Sequence, residues 1–190
     1  NPPFKDVYSP AVFLSYTPFR KHAFNIRAFY KKSFRMPTFN DLYYTDMGNA
    51  KLKPENATQY NVGVTYEKMW KDSFFSLFSM QVDGYYNWVK DKIVSYPKGT
   101  QFRWVMLNLG RVRIKGINAS VTGKFDIIED LSLTCKAIYT FERAIDLTKP
   151  SDNYYRHQIP YIPRNSGSFV AQGAYKDWRF NYSFIYVGER

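Results

Sequence analysis

A period of two runs along the whole chain, and it constrains the fold more than any other feature. Trp178, Phe180, Tyr182, Phe184 and Tyr186 alternate with Arg179, Asn181 and Ser183. Leu131, Leu133, Cys135, Ala137, Tyr139 and Phe141 alternate with Ser132, Thr134, Lys136 and Thr140. Tyr60, Val62, Val64 and Tyr66 alternate with Gln59, Asn61, Gly63 and Thr65. On a strand each apolar set shares one face and each polar set the other. A helix would scatter both sets around its circumference.

This pattern predicts eight strands, near 9–18, 23–34, 57–68, 74–96, 102–125, 131–144, 165–174 and 178–188. Four connections are short, at Phe19–His22, Met69–Ser73, Asp126–Asp130 and Lys176–Asp177. Two are long, at 35–56 and 145–164, and Pro37 and Pro54 keep the first of these out of any strand. The connection near Tyr96–Gln101 is short but crowns two very long strands. Residues 74–96 reach roughly 75 Å at about 3.3 Å per residue, whereas a bilayer needs only about 9–11 tilted residues. Tight turns at one end and large loops at the other are the sidedness of an up-and-down transmembrane β-barrel. The surplus length predicts a tall rim carrying Tyr85, Tyr86, Trp88, Tyr96, Phe102 and Trp104. Val112 and Ile114 fall on even positions, but Ile117, Ala119 and Val121 on odd ones, so a β-bulge is expected at Gly116.

Composition narrows the alternatives. Aromatic residues make up 19 % of the chain and mean hydropathy is −0.46, which suits strands with one greasy and one wet face. No run approaches 18 apolar residues, so no transmembrane helix is expected. The lone Cys135 excludes an intrachain disulfide framework and a Cys-based zinc site. A formal charge of +11 favours anionic partners, lipid headgroups and lipopolysaccharide phosphates among them. Nucleic acid is disfavoured, because Arg179 falls on the strand face opposite Trp178, Phe180, Tyr182 and Phe184. Enzymatic motifs for a nucleophile elbow, a P-loop, a dinucleotide fold or a zinc hydrolase are absent, and nothing calls for a cofactor or a metal. His22 and His157 fall at opposite ends of the expected sheet. A soluble β-sandwich that binds carbohydrate is the alternative architecture.

The long loops carry the candidate ligand-binding residues. Loop 35–56 offers Arg35, Asn40, Tyr43 and Tyr44, with Asp46 and Asn49 nearby; loop 145–164 offers Tyr154, Tyr155, Arg156 and His157. Aromatic rings beside guanidinium groups suit a ligand with flat and anionic parts, such as a ferric siderophore.

Several runs resemble TonB-dependent outer-membrane receptors. Ser33-Phe34-Arg35-Met36-Pro37-Thr38-Phe39-Asn40-Asp41-Leu42-Tyr43-Tyr44, then Leu52-Lys53-Pro54-Glu55 and Gln59-Tyr60-Asn61-Val62-Gly63, are similar to that family's F-R-x-P-x-F box, L-x-P-E segment and following strand. Tyr85–Ile93, Asn108–Asn118, Ile159–Asn165 and Tyr186–Arg190 resemble further family segments in the same order. Asn61 and Asn118 stand where the family often has Glu. The resemblance implies a middle-to-late segment of a barrel of about 22 strands. It implies contact with TonB through an N-terminal plug not seen in this sequence, further strands after Arg190, and import of a scarce nutrient. A siderophore is the first expectation; cobalamin, haem and oligosaccharide are alternatives. Haem receptors of this family often carry a histidine between the F-R-x-P box and the next motif, and stretch 35–52 has none. The chain begins with Asn, lacks a signal peptide, and enters and leaves the expected sheet on the loop side, so an internal segment is expected.

Overall fold

The computed structural model describes residues 8–19, 23–44, 47–98 and 103–189. Eight strands follow in sequence: β1 (Ala11–Phe19), β2 (Ala23–Arg35), β3 (Glu55–Met69), β4 (Phe75–Lys98), β5 (Arg103–Ile128), β6 (Leu131–Asp146), β7 (Asn165–Tyr175) and β8 (Trp178–Val187). Each lies within a few residues of its predicted span. A five-residue helix, α1 (Phe39–Tyr43), interrupts the loop between β2 and β3. The tips expected at 20–22 and 99–102, and with them His22 and Phe102, lie outside the described residues, as do Asp46 and Arg190.

The strands form one sheet in the order β1-β2-β3-β4-β5-β6-β7-β8, with every neighbouring pair antiparallel. The sheet is open, since β1 and β8 are its edges. No second sheet lies against it among the described residues, which removes the β-sandwich.

Directly opposed residues share a face, so the register carries the alternation from strand to strand. Phe24, Tyr66, Met80, Val121, Ala137, Phe169 and Phe184 form one lateral row. Ile26, Val64, Val82, Ala119, Tyr139, Gly167 and Tyr186 form the next. In these two rows the outer face is apolar and aromatic from β2 to β8. On the other face one row reads Arg27, Gly63, Asp83, Asn118, Thr140 and Ser166. Below the loop end the outer side chains have no protein layer on them: Val62 is 59 % exposed, Phe180 69 % and Phe184 53 %.

Burial is concentrated where the tall strands meet the long loops. Val89, Val112, Ala144 and Ile159 pack into one cluster, with Ile114 and Ile162 against it. The core therefore joins β4, β5 and β6 to the β6–β7 loop at one end of the sheet.

The bulge expected at Gly116 is not there. Tyr85 opposes Gly116, Gly116 opposes Glu142, and the pairing runs through without a shift. The apolar set changes face because its surroundings change. Val112 and Ile114 point inward, into the cluster beneath the loop. Ile117, Ala119 and Val121 point outward, on the face that no protein covers. Gly116 itself answers a close approach. Tyr85 Oη donates to Glu142 Oε2 at 2.7 Å across the intervening strand, and a Cβ at 116 would overlap that hydroxyl and the Phe141 carbonyl. Gly63 does the same one strand pair away. A Cβ there would overlap Asp83 Oδ1 and lie 2.9 Å from Arg27 Nε, where Arg27 of β2 reaches Asp83 of β4 at 2.7 Å. True register shifts fall between Tyr16 and Phe19, Phe75 and Leu77, and Asp126 and Ile128. All three lie at the tight-turn end, where bulges add twist to a rim.

Candidate functional site

The long loops are held to the tall strands by side chains of the recognised motifs. Thr38 caps α1: its Oγ1 accepts from the Asp41 N–H at 3.2 Å, and Asp41 Oδ2 accepts from the Thr38 N–H at 2.9 Å. This reciprocal pair is a capping box. Arg35 Nη2 donates to Asp41 Oδ2 at 3.0 Å, while its Nη1 lies 3.8 Å from Glu55 Oε2. Glu55 in turn accepts from the Ile93 N–H of β4 at 3.2 Å. Asp41 is buried, which alone would raise its pKa. Its backbone and hydroxyl partners on Thr38 and the charge of Arg35 outweigh burial and hold it below the usual carboxylate value.

The rest of this loop is fastened to β5. Gly48 packs where a Cβ would lie 2.7 Å from the Leu42 carbonyl oxygen. The Met106 N–H donates to the Met47 carbonyl, and Asn49 Nδ2 donates back to the Met106 carbonyl, each at 3.0 Å. Asn108 closes the clamp. Its Oδ1 accepts from the Lys53 N–H at 2.8 Å, and its Nδ2 donates to the Lys53 and Asp91 carbonyls at 3.0 and 2.7 Å.

The β6–β7 loop folds back along β6. The Ile159 N–H donates to the Ala144 carbonyl at 2.8 Å, and Gln158 Oε1 accepts from the Ala144 N–H at 3.1 Å. Gln158 Nε2 also donates to the Ile162 carbonyl at 3.1 Å. Ile159 is thereby buried, while Pro160 and Tyr161 are lifted to the surface.

The two loops meet over β4 and β5. Met47 of one and Ile159–Ile162 of the other border an open groove of about 470 Å³ with Val94 and Trp104 on its floor. The Trp104 and Tyr161 rings are 4.9 Å apart and tilted by 56°. A neighbouring groove of about 280 Å³ is bordered by Leu107, Asp146, Asp152, Tyr154, Gln158 and Pro160. The first is chiefly apolar and aromatic; the second adds two carboxylates and an amide.

The sequence-predicted residues divide between these places. Tyr154 borders the second groove. Tyr155 is half-buried, and Arg156 and His157 are exposed on the same turn, which Asp152 braces through the Tyr154 N–H at 3.1 Å. Asn40, Tyr43 and Tyr44 are exposed on α1 and its C-terminus, with Phe39 and Tyr43 rings 5.1 Å apart. Arg35 is engaged by Asp41 and Glu55. Neither groove includes Arg35, Asn40, Tyr43 or Tyr44. The residues brought together between the loops are Met47, Trp104 and Tyr161. In the sequence Trp104 was legible only as a rim aromatic, and Tyr161 only as the middle of Ile159-Pro160-Tyr161-Ile162-Pro163. Among the described residues no cluster of three or more His, Cys, Asp or Glu could hold a metal ion.

A one-layer antiparallel sheet with an uncovered apolar face, tight turns at one end and anchored loops at the other is a piece of β-barrel wall. The chain matches the family described as TonB dependent receptor-like, beta-barrel, over residues 2–190, and it belongs to that family. It is 29 % identical over 160 residues to the vitamin B12 transporter BtuB of Vibrio vulnificus, covering 83 % of this chain and 23 % of that protein. It is 33 % identical over 155 residues to the vitamin B12 transporter BtuB of Photobacterium profundum, covering 82 % of this chain and 23 % of that protein. Among solved structures, a copper transporter, OprC, shares the fold with a TM-score of 0.62 at 19 % identity, over 92 % of this chain and 26 % of that one. The chain thus spans about a quarter of the length of the relatives it matches.

Proposed function

We propose that this chain is part of the wall and rim of an outer-membrane receptor that captures a scarce nutrient and passes it inward with TonB. One observation carries the reading: between the tight turns and the row of Gly84, Ile117 and Phe141 the outer face is an apolar and aromatic belt that no protein layer covers. Lipid is the medium that suits such a face. The opposite face, with Arg27, Gln81, Asp83 and Asn118, suits a polar barrel interior. A plug elsewhere in the receptor would make the TonB contact.

Cobalamin is the ligand we place first. Two relatives are named for vitamin B12 transport, and the groove between the loops offers an apolar floor with the Trp104 and Tyr161 rings, fit for a large ligand with a flat ring system. A ferric siderophore is the second reading, supported by the exposed Tyr154, Arg156 and His157. The test is equilibrium binding of cyanocobalamin and of ferric siderophores to the full-length receptor in detergent. Trp104→Ala and Tyr161→Ala should each weaken cyanocobalamin binding by about 2 kcal/mol, the usual cost of truncating an aromatic anchor. Binding of a ferric siderophore alone, weakened by Arg156→Ala and not by Trp104→Ala, would favour the second reading.

A further inference from the structure

We propose that Lys90, Arg111, Arg113, Lys115 and Arg143 form a site on the outer face of β4, β5 and β6 for the phosphate groups of a glycolipid in the outer leaflet. The proposal rests on the membrane-barrel reading above and adds a lipid partner to it.

The register puts the five cations together. Lys90 opposes Arg111, Tyr86 opposes Lys115, and Lys115 opposes Arg143. Arg113 lies between the Arg111 and Lys115 positions on the same face of β5, opposite Trp88. The next lateral row down is Gly84, Ile117 and Phe141, where the apolar belt begins. On β5 that belt runs from Ile117 to Phe125, close to the ~9–11 residues that cross a bilayer core. The cations therefore start where the belt stops, at the loop end, at headgroup height. Tyr30, Tyr60 and Tyr86 occupy the same lateral row as Lys115 and Arg143, an aromatic border of the kind found at membrane interfaces.

On the strands themselves no carboxylate shares this face with the five cations. The outward positions from Asn56 to Tyr66 on β3, Phe78 to Lys90 on β4, Arg111 to Phe125 on β5 and Leu133 to Arg143 on β6 include no carboxylate. Glu142, next to Arg143 in the chain, faces the other way: it opposes Gly116 on the inner face and accepts from Tyr85. The ion pairs among the described residues involve none of the five cations. Arg113 is half-buried, and its Nε is a buried donor without a protein partner. Unpaired like charges on three neighbouring strands, about 10 Å across, repel one another until an anion joins them. Guanidinium forks suit phosphate oxygens, and the apolar belt below suits the acyl chains of the same molecule. A bare phosphate would gain only the first of these contacts.

The test uses the full-length receptor in detergent, with bound lipid counted by native mass spectrometry. The probes are bisphosphorylated lipid A, the same glycolipid stripped of phosphate, and inorganic phosphate as competitor. The expected result is retention of the phosphorylated lipid at least about tenfold better than the stripped one, given about 1 kcal/mol per basic residue near a membrane surface. Millimolar inorganic phosphate should not displace it. Arg111→Gln/Arg113→Gln/Arg143→Gln should abolish the preference, Arg→Lys at the same positions should keep most of it, and Lys136→Gln on the inner face should leave it unchanged. Equal retention of both glycolipids by the unaltered receptor would overturn the site while sparing the membrane reading, and that comparison needs no variant to fold. Displacement by inorganic phosphate would also overturn it, as a site for free anions. A receptor that holds neither glycolipid and stays soluble without detergent would overturn the membrane reading itself.

Discussion

Gly63 and Gly116 show how a single missing Cβ sets what the inner face can do. Each lies on a middle strand, and each lets partners on the flanking strands meet above it: Arg27 with Asp83, and Tyr85 with Glu142. Gly84 is a control within the same sheet, because a Cβ there would come no nearer than 3.9 Å to the Val62 carbonyl oxygen. Gly63→Ala and Gly116→Ala should cost about 1–3 kcal/mol, the usual penalty for overpacking. Gly84→Ala should be close to neutral, with all three compared by urea unfolding in detergent. The sequence pointed to Gly116 but to the wrong device. A phase break in hydrophobicity can mark a slipped register or a change of surroundings, and only knowledge of which face meets protein separates the two. Asp41 gives a second residue-scale prediction. Its carboxyl titrates below the ordinary value of 3.8 in the folded loop, so its stabilising contribution is complete above that value and is lost as pH falls through the lowered one. Amide exchange in loop 36–54 should therefore accelerate below about pH 4, relative to the strands, and Asp41→Asn should flatten that dependence.

At the scale of elements, alternation located all eight strands because each has one wet face, which is the condition under which period-two reading works. The long loops were legible as loops, the first of them from Pro37 and Pro54, yet their internal order was not. α1 is too short to show helical periodicity, and its Thr38–Asp41 capping box reads equally well as a turn. The motif residues Arg35, Glu55, Asn108 and Gly110 hold these loops in place. Gly110 lies where a Cβ would be 2.9 Å from Thr148 Cγ2, and the Arg111 N–H donates to Thr148 Oγ1 at 3.2 Å. Asn108 makes the most exacting of these contacts, with three hydrogen bonds to backbone groups on two elements. Asn108→Ala should release residues 47–54 from β5 and make that loop cleavable by limited proteolysis, with little change at the tight-turn end. The groove formed by Met47, Trp104 and Tyr161 was not legible, because it depends on how two loops far apart in sequence lean together over a third element.

For the whole molecule, the distribution of burial is the decisive fact. A chain of 190 residues could bury a large core, yet its buried apolar side chains, Val112, Ala144, Ile145 and Ile159 among them, gather at the loop end. The remainder of the sheet is one layer thick, so its apolar face needs a partner that is not this chain. A charge placed in the middle of that face, as in Val121→Arg, should cost about 2–4 kcal/mol in lipid, whereas Ser120→Arg on the inner face should cost much less. The most direct test of the account is to map the two faces in the full-length receptor reconstituted into bilayers. With Cys135 replaced by Ser, single cysteines at Val62, Val64, Val121 and Phe184, and at their neighbours Asn61, Thr65, Ser120 and Ser183, would carry nitroxide labels. The first set should collide with oxygen dissolved in lipid and be shielded from a water-soluble nickel chelate, while the second set should be shielded from lipid. Equal access of the chelate to both sets would contradict this.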